Sequence, residues 1–280
     1  MMSPRSCIKI FPSLSTHIGP TYPAQRVFPT PYLQAFDPFL LLDIITLHPP
    51  SKHLHPIPHP YYGLERISYL IHGHKTYHHP SGEPDVQPAG SVHWLQAGTT
   101  TTLRESVSIS EAHPPPFHEV QIWIQLPRAH KHRPATTKVW SGNDLPIVHP
   151  SNSRTRIRIL CGALQEIQSK IQSSAESNVL HITLQNDSLT LPIPARLKAA
   201  VYVLSGHVQV ESQRIDAFQI AIFGEGESLR IQGHGSLILL SGVPLKEPIA
   251  RQGSLITHTK EALMQAFHNY QNDTMETKRQ

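Results

Sequence analysis

Val120-Gln121-Ile122-Trp123-Ile124-Gln125-Leu126 carries an aliphatic side chain at every second position, with Gln, Trp and Gln between. Side chains on a strand alternate between two faces, so this period of two belongs to a strand and not to a helix. The pattern recurs along the chain. Ile67, Tyr69 and Ile71 alternate with Arg66, Ser68 and Leu70, which predicts a strand with one face more deeply buried than the other. Val201 and Val203, a turn at Ser205-Gly206, then Val208 and Val210 predict a hairpin. Residues 220–223 and 236–240 supply two more short strands, each with glycine close by.

Two segments have helical spacing. Residues 162–173 place Leu164, Ile167 and Ile171 three and four apart. Residues 259–270 begin with Thr259 as N-cap and Glu261 in the first turn, and Leu263, Ala266, Phe267 and Tyr270 form an apolar stripe. Beyond Gln271 the chain is polar and is expected to fray. Between Leu126 and Ile157, Pro, His, Ser and Asn dominate, as in a connector. The expected domains are therefore residues 1–141 and 142–280, each built from short, turn-punctuated antiparallel strands as a barrel or jelly roll.

Composition narrows the classes. The 280 residues include 26 prolines, which oppose long helices, and 20 histidines, which invite a metal reading. The formal charge is only +4, scattered along the chain, so nucleic acid is not an expected partner. No apolar run approaches the ~18 residues of a spanning helix; residues 39–45 are too short and contain Asp43. Two cysteines cannot form a disulfide framework and suit a reducing compartment. The first 35 residues hold Arg5, Lys9 and Arg26 without an acid, as transit peptides do, but six prolines break any amphipathic helix and no secretory apolar region is present. The expectation is a cytoplasmic monomer, or a nuclear protein if the source is eukaryotic, with no membrane partner.

Several stretches together resemble the pirin family of bicupins. Phe36-Asp37-Pro38-Phe39-Leu40-Leu41-Leu42-Asp43 followed by His59-Pro60-Tyr61-Tyr62-Gly63-Leu64-Glu65 is similar to the family's DPF-L-LD and H-P-H-R-G-F-E segments. Gly90-Ser91-Val92-His93-Trp94-Leu95-Gln96-Ala97-Gly98 resembles G-D-[VL]-Q-W-M-T-A-G, and residues 120–127 resemble L-Q-L-W-[VI]-N-L-P. Residues 242–250 and 266–270 resemble the family's G-x-P-L-x-E-P segment and closing helix. The resemblance implies an all-β chain of two antiparallel cupin β-barrels with a short C-terminal helix.

It also implies a divalent metal of the iron or nickel class in the N-terminal barrel, held by three histidines and a glutamate. Imidazole and carboxylate ligands with an open position suit such ions. Carried over position by position, the ligands fall on His59, Tyr61, Leu103 and Glu105. Two are kept and two replaced. Leucine has no donor atom, and a tyrosine ligates only as phenolate, which requires its pKa to fall below ~10. The arginine after the second ligand is Tyr62, the family's G-R-G is Gly98-Thr99-Thr100, and its acidic loop falls on Tyr77-His78-His79-Pro80. His53 and His55 share parity with His59 and Tyr61, so His55 is a candidate replacement ligand. His72 and His74 form a second such pair.

Trp94 and Trp123 match core aromatics of the family, Glu65 is expected to orient neighbours by hydrogen bonding, and Cys161 to be a buried small residue. Three functions stay open. The first is a pirin-like protein with impaired metal binding that acts on a protein partner. The second is a metal-dependent dioxygenase cleaving quercetin-like flavonols, with Glu105 as the catalytic base. The third is a metal-free cavity holding a different small, aromatic ligand.

Overall fold

The computed structural model describes residues 2–18, 22–48, 57–78, 83–108, 117–151 and 153–277. Nearly all its regular structure is antiparallel strand, with one α-helix, Lys260–Thr277. One seven-stranded sheet runs in the order Thr136–Trp140, Val92–Ala97, Leu64–His72, Phe117–Gln125, Phe39–Leu47, Tyr22–Phe28, Leu14–Ile18. A four-stranded sheet runs Ile57–Tyr61, Thr101–Ser108, His74–His78, Asp85–Pro88. The largest sheet has eight strands, and its long members Ser177–Pro192, Lys198–Val210 and Ser228–Gly242 lie side by side.

Two compact units result, and they do not follow the two consecutive stretches expected from the sequence. One comprises Met1–Thr16, Ala24–Asp43 and Asn143–Pro244; the other comprises His17–Pro23, Ile44–Gly142 and Leu245–Gln280. Each unit draws on three separate segments, and chain from both ends is shared between them. Edge protection explains the first crossing. Cys7–Pro12 pairs along Gln219–Phe223 and so covers a strand edge that would otherwise be open. Arg5 anchors it: the buried guanidinium donates to the carbonyls of Gly224 at 2.7 Å, Leu197 at 2.8 Å and Pro194 at 3.0 Å.

The inner face of the large sheet is aliphatic, with Ile159, Leu180, Ile182, Val201, Val203, Val208, Leu237 and Leu239 all in one buried cluster. Asp43, which interrupts the apolar stretch 39–45, is buried against Arg26 in a two-pronged ion pair of 2.6 and 2.8 Å.

Four local expectations are corrected. Residues 162–173 are not helical: Ala163–Leu164 and Ile167–Gln168 form a two-residue hairpin, and Gln165 takes a positive φ of 53°. Its spacing misled because Leu164 and Ile171 point inward while Ile167 points to solvent. Ser205-Gly206 lies inside one continuous strand, paired with Ser236 and Gly235 just past a register shift after Val203, and the hairpin turn falls after Val210 instead. The connector contains a strand, Thr136–Trp140, paired with Val92–Ala97. Finally, the strand Leu64–His72 is buried on both faces, so Arg66 and Ser68 lie inside the protein.

The C-terminal helix does begin at Thr259, whose hydroxyl accepts from the Ala262 N–H at 3.1 Å. It packs by Leu263, Ala266 and Tyr270; Phe267 is exposed and the helix continues to Thr277.

Arg5→Met is expected to leave three carbonyls without their donor and to lower the unfolding free energy by about 2–4 kcal/mol. Urea titration of both proteins measures the loss; an unchanged midpoint would show that the N-terminal strand holds without it.

Candidate functional site

The four-stranded sheet faces part of the seven-stranded one within the second compact unit, and strand register decides which side chains meet. His59 lies opposite Leu103 and Tyr61 opposite Thr101. Glu105 lies opposite Tyr77, and Val107 opposite Lys75. Paired residues on antiparallel strands share a face, so His59, Tyr61, Leu103, Glu105, Lys75 and Tyr77 point the same way. Across from them, Arg66 pairs with Trp123 and Ser68 with Gln121, with Glu119 on the same parity. The four positions singled out by resemblance therefore do come together.

At their centre is a buried network of four charges. Glu105 sits between two cations, with Arg66 Nη1 at 2.5 Å from Oε1 and Lys75 Nζ at 2.5 Å from Oε2. Arg66 Nη2 adds a bond to Oε2 at 3.0 Å. Lys75 also bridges both oxygens of Glu119, at 3.0 and 3.1 Å. Ser68 Oγ donates to Glu119 Oε1 at 2.6 Å. The Arg66 side chain has no exposure and those of Lys75 and Glu119 almost none, while Glu105 retains 16%. Glu105 is thus the one member that a ligand could reach. Burial alone would raise its pKa, but the guanidinium and ammonium outweigh it and hold the carboxyl well below the usual range. The same carboxylates keep Lys75 protonated, its pKa raised despite a burial penalty that acts the other way.

Around this network the walls are aromatic. Tyr61 stands edge-on to Trp123 at 5.9 Å between ring centroids, and the Arg66 guanidinium lies 5.5 Å from the Tyr61 ring. Arg251 covers the Trp123 ring at 5.2 Å. Tyr77 stacks on His93 at 3.7 Å and donates to Gln87 Oε1 at 2.9 Å. His93 Nε2 is in turn 2.6 Å from the Thr137 hydroxyl. Burial pushes the Tyr61 phenol up to about 12, so it stays protonated. Beside it, Gly63 has a φ of 72° and a Cβ there would run into the Ile256 carbonyl. The glycine of the first motif is thereby explained by a close approach of backbone.

The residues present do not fit a metal of the iron or nickel class. Leu103 offers no donor, Tyr61 is held as a neutral phenol, and Glu105 is ion-paired to two cations, its Oε1 facing Arg66 without a hydrogen bond. Of the four positions, His59 alone supplies an uncommitted ligand, on a side chain open to solvent. Among the described residues no group of three His, Cys, Asp or Glu is placed to hold an ion. His53, His55, His79 and Pro80 lie outside the described residues. His72 and His74 flank the turn at Gly73 and are exposed. Glu65 is buried and accepts from Gln96 Nε2 at 3.1 Å, as an orienting group would. Cys161 is fully buried outside any disulfide, its thiol 3.8 Å from the Ser177 carbonyl.

Sequence reading missed Arg66, Lys75 and Glu119. A signal was there. Arg66 shares its parity with Ser68 and Glu119 shares its own with Trp123, so charge lay on the face that the pattern left to solvent.

Two antiparallel β units in one chain define a bicupin, and solved structures share that architecture. A quercetin 2,3-dioxygenase from Acinetobacter baumannii superposes with a TM-score of 0.88 at 24% identity, covering 96% of this chain and 98% of that one. The bacterial pirin YhhW of Escherichia coli, solved with nickel(II), gives 0.66 at 16% identity, covering 84% of this chain and 99% of its own. The family model for pirin matches residues 21–124, and that for the pirin C-terminal cupin domain matches residues 179–276. A pirin-like protein of Caulobacter vibrioides is 26% identical over 276 residues, 96% of this chain and 99% of that protein. The chain belongs to the pirin family.

Lys75→Met leaves Glu105 and Glu119 short of a cation and is expected to cost about 3–5 kcal/mol. Glu105 titrates lower in the folded chain than in the unfolded one, where a glutamate titrates near ~4.3. Its contribution is therefore complete above about pH 5 and is lost as pH falls toward the folded value. The stability gap between the parent and Glu105→Gln, measured by urea unfolding, should shrink steadily below that pH. A gap that is constant with pH would mean that the ion pairs contribute nothing.

Proposed function

We propose that this protein works by binding and not by metal chemistry, using the face around Glu105 in its N-terminal pirin domain for a small aromatic ligand or for a segment of a protein partner. The observation that carries the reading is Glu105 held between Arg66 and Lys75, beside an apolar Leu103. The aromatic wall of Tyr61 and Trp123 supports a planar ligand, and the neutral Tyr61 hydroxyl is a donor for its oxygens. The site of action is the cytoplasm, and the protein acts as a monomer.

Metal analysis of protein purified without a histidine tag tests this. The expected iron or nickel content after dialysis against chelator is well below one equivalent. About one equivalent retained, as a single family-type site would hold, overturns the reading. A restoration experiment tests the cause. Tyr61→His with Leu103→His should give little rise in melting temperature on adding nickel, because Glu105 remains engaged. Adding Lys75→Met to the pair frees the carboxylate and should produce a clear rise by linkage. A rise already present in the double variant would show that the cations are not the obstacle.

A second reading is favoured by the Acinetobacter neighbour, which is named a quercetin 2,3-dioxygenase. Quercetin incubated in air with the nickel- or iron-supplemented protein should quench tryptophan emission yet persist. Turnover that Glu105→Gln abolishes would establish the dioxygenase instead.

A further inference from the structure

A cavity of about 370 Å³ opens in the other compact unit, and the pirin site does not use it. Its wall is the outer face of the large sheet, opposite the aliphatic cluster. Thr183 and Ser236 are paired across two strands, Ser236 and Ser205 across the next, and Gln185 lies opposite His234. Arg154 closes one side. No acidic side chain lines it.

Two features show that this depression is organised. The first is the turn carrying Arg154. The Asp187 carboxylate accepts from the hydroxyls of Ser153 and Thr155, the latter at 2.9 Å, and from the Ser188 N–H at 2.7 Å. Those bonds pull its pKa down to about 2, so the carboxylate is held by the turn. The second is the floor. Gly235 has a φ of 151°, and a Cβ there would strike the Ser205 carbonyl, so only glycine lets the strands close beneath the cavity.

The donors, by contrast, lack internal partners. Among the described residues, the side chains of Arg154, Thr183, Gln185, Ser205 and His234 form no hydrogen bond or ion pair with the protein. Ser236 is the exception, its hydroxyl 2.7 Å from His181 Nε2. An exposed guanidinium carried on a braced turn, with hydroxyls, an amide and an imidazole around one acid-free hollow, matches an oxyanion that also bears hydroxyl groups. The volume lies at the low end of the ~300–1,000 Å³ range of ligand pockets, which suits a small metabolite.

We propose that this cavity binds a compact hydroxylated anion, carried as a phosphate monoester or a carboxylate, through Arg154 and the hydroxyls of Thr183, Ser205 and Ser236. Isothermal titration of the full chain with inorganic phosphate, glycerol 3-phosphate and malate tests it, with amide chemical shifts as the map. Saturable binding of at least one probe is expected, with shifts at Thr183 and Ser236. Arg154→Met should weaken it about tenfold or more, Arg154→Lys less, and Tyr61→Phe not at all. Preference for the phosphates or for malate assigns the anionic group. Absence of saturable binding for all three probes, or equal binding by Arg154→Met with unchanged melting temperature, overturns the proposal.

Discussion

Glu105 between Arg66 and Lys75 is the contact on which the N-terminal domain's interior depends. The two sheets meet there through charge. Arg66 and Glu119 come from adjacent strands of one sheet, Lys75 and Glu105 from adjacent strands of the other. Arg66 with Glu105 and Lys75 with Glu119 cross between the sheets, while Lys75 with Glu105 and Arg66 with Glu119 each lie within one sheet. Two positive and two negative groups cancel, so burial of four charges is tolerable, but removal of any one leaves an uncompensated charge in a dry place. Ser68, Tyr77 and Gln87 supply further bonds that fix the geometry.

The two units solve one packing problem differently. The large sheet buries leucine, isoleucine and valine on its inner face, and its polar residues gather outside, where Arg154 and His234 line the hollow. The other unit keeps polar and charged groups on its inner face. An aliphatic interior gains stability from burial with no demand on geometry beyond volume. A charged interior gains little net stability and needs every partner in place. Retaining the second kind ties the geometry of the N-terminal domain to a few named partners, Arg66, Lys75, Glu105 and Glu119.

The fold was legible because alternation at residues 120–126 and 201–210 and the motif order survive any local error. The resemblance also singled out His59, Tyr61, Leu103 and Glu105, which strand register puts on one face. What was not legible depended on contacts distant in sequence. Arg66 read as a solvent-facing residue because periodicity reports two faces and cannot say that both are covered. Leu164, Ile167 and Ile171 fit a helix until the hairpin is closed by Gly162, whose carbonyl accepts from Ser169 N–H at 2.8 Å. Gly206 read as a turn, while the strand beside it continues because His234 and Gly235 approach closely enough to demand a residue without Cβ.

The network also bears on the two positions where a family ligand is replaced. In a family-type site the carboxylate is neutralised by the bound ion. Here the guanidinium and ammonium supply that positive charge from within the chain, and no ligand has to be captured to do so. A divalent ion could claim Glu105 only by displacing Lys75 or Arg66 from it. Breaking a buried pair costs about 3–5 kcal/mol, equivalent to roughly two to four powers of ten in affinity. With Leu103 contributing nothing and Tyr61 a neutral phenol, only a bond from His59 is available to offset that cost. Arg66 and Lys75 thus hold Glu105 with charges that belong to the chain and cannot leave.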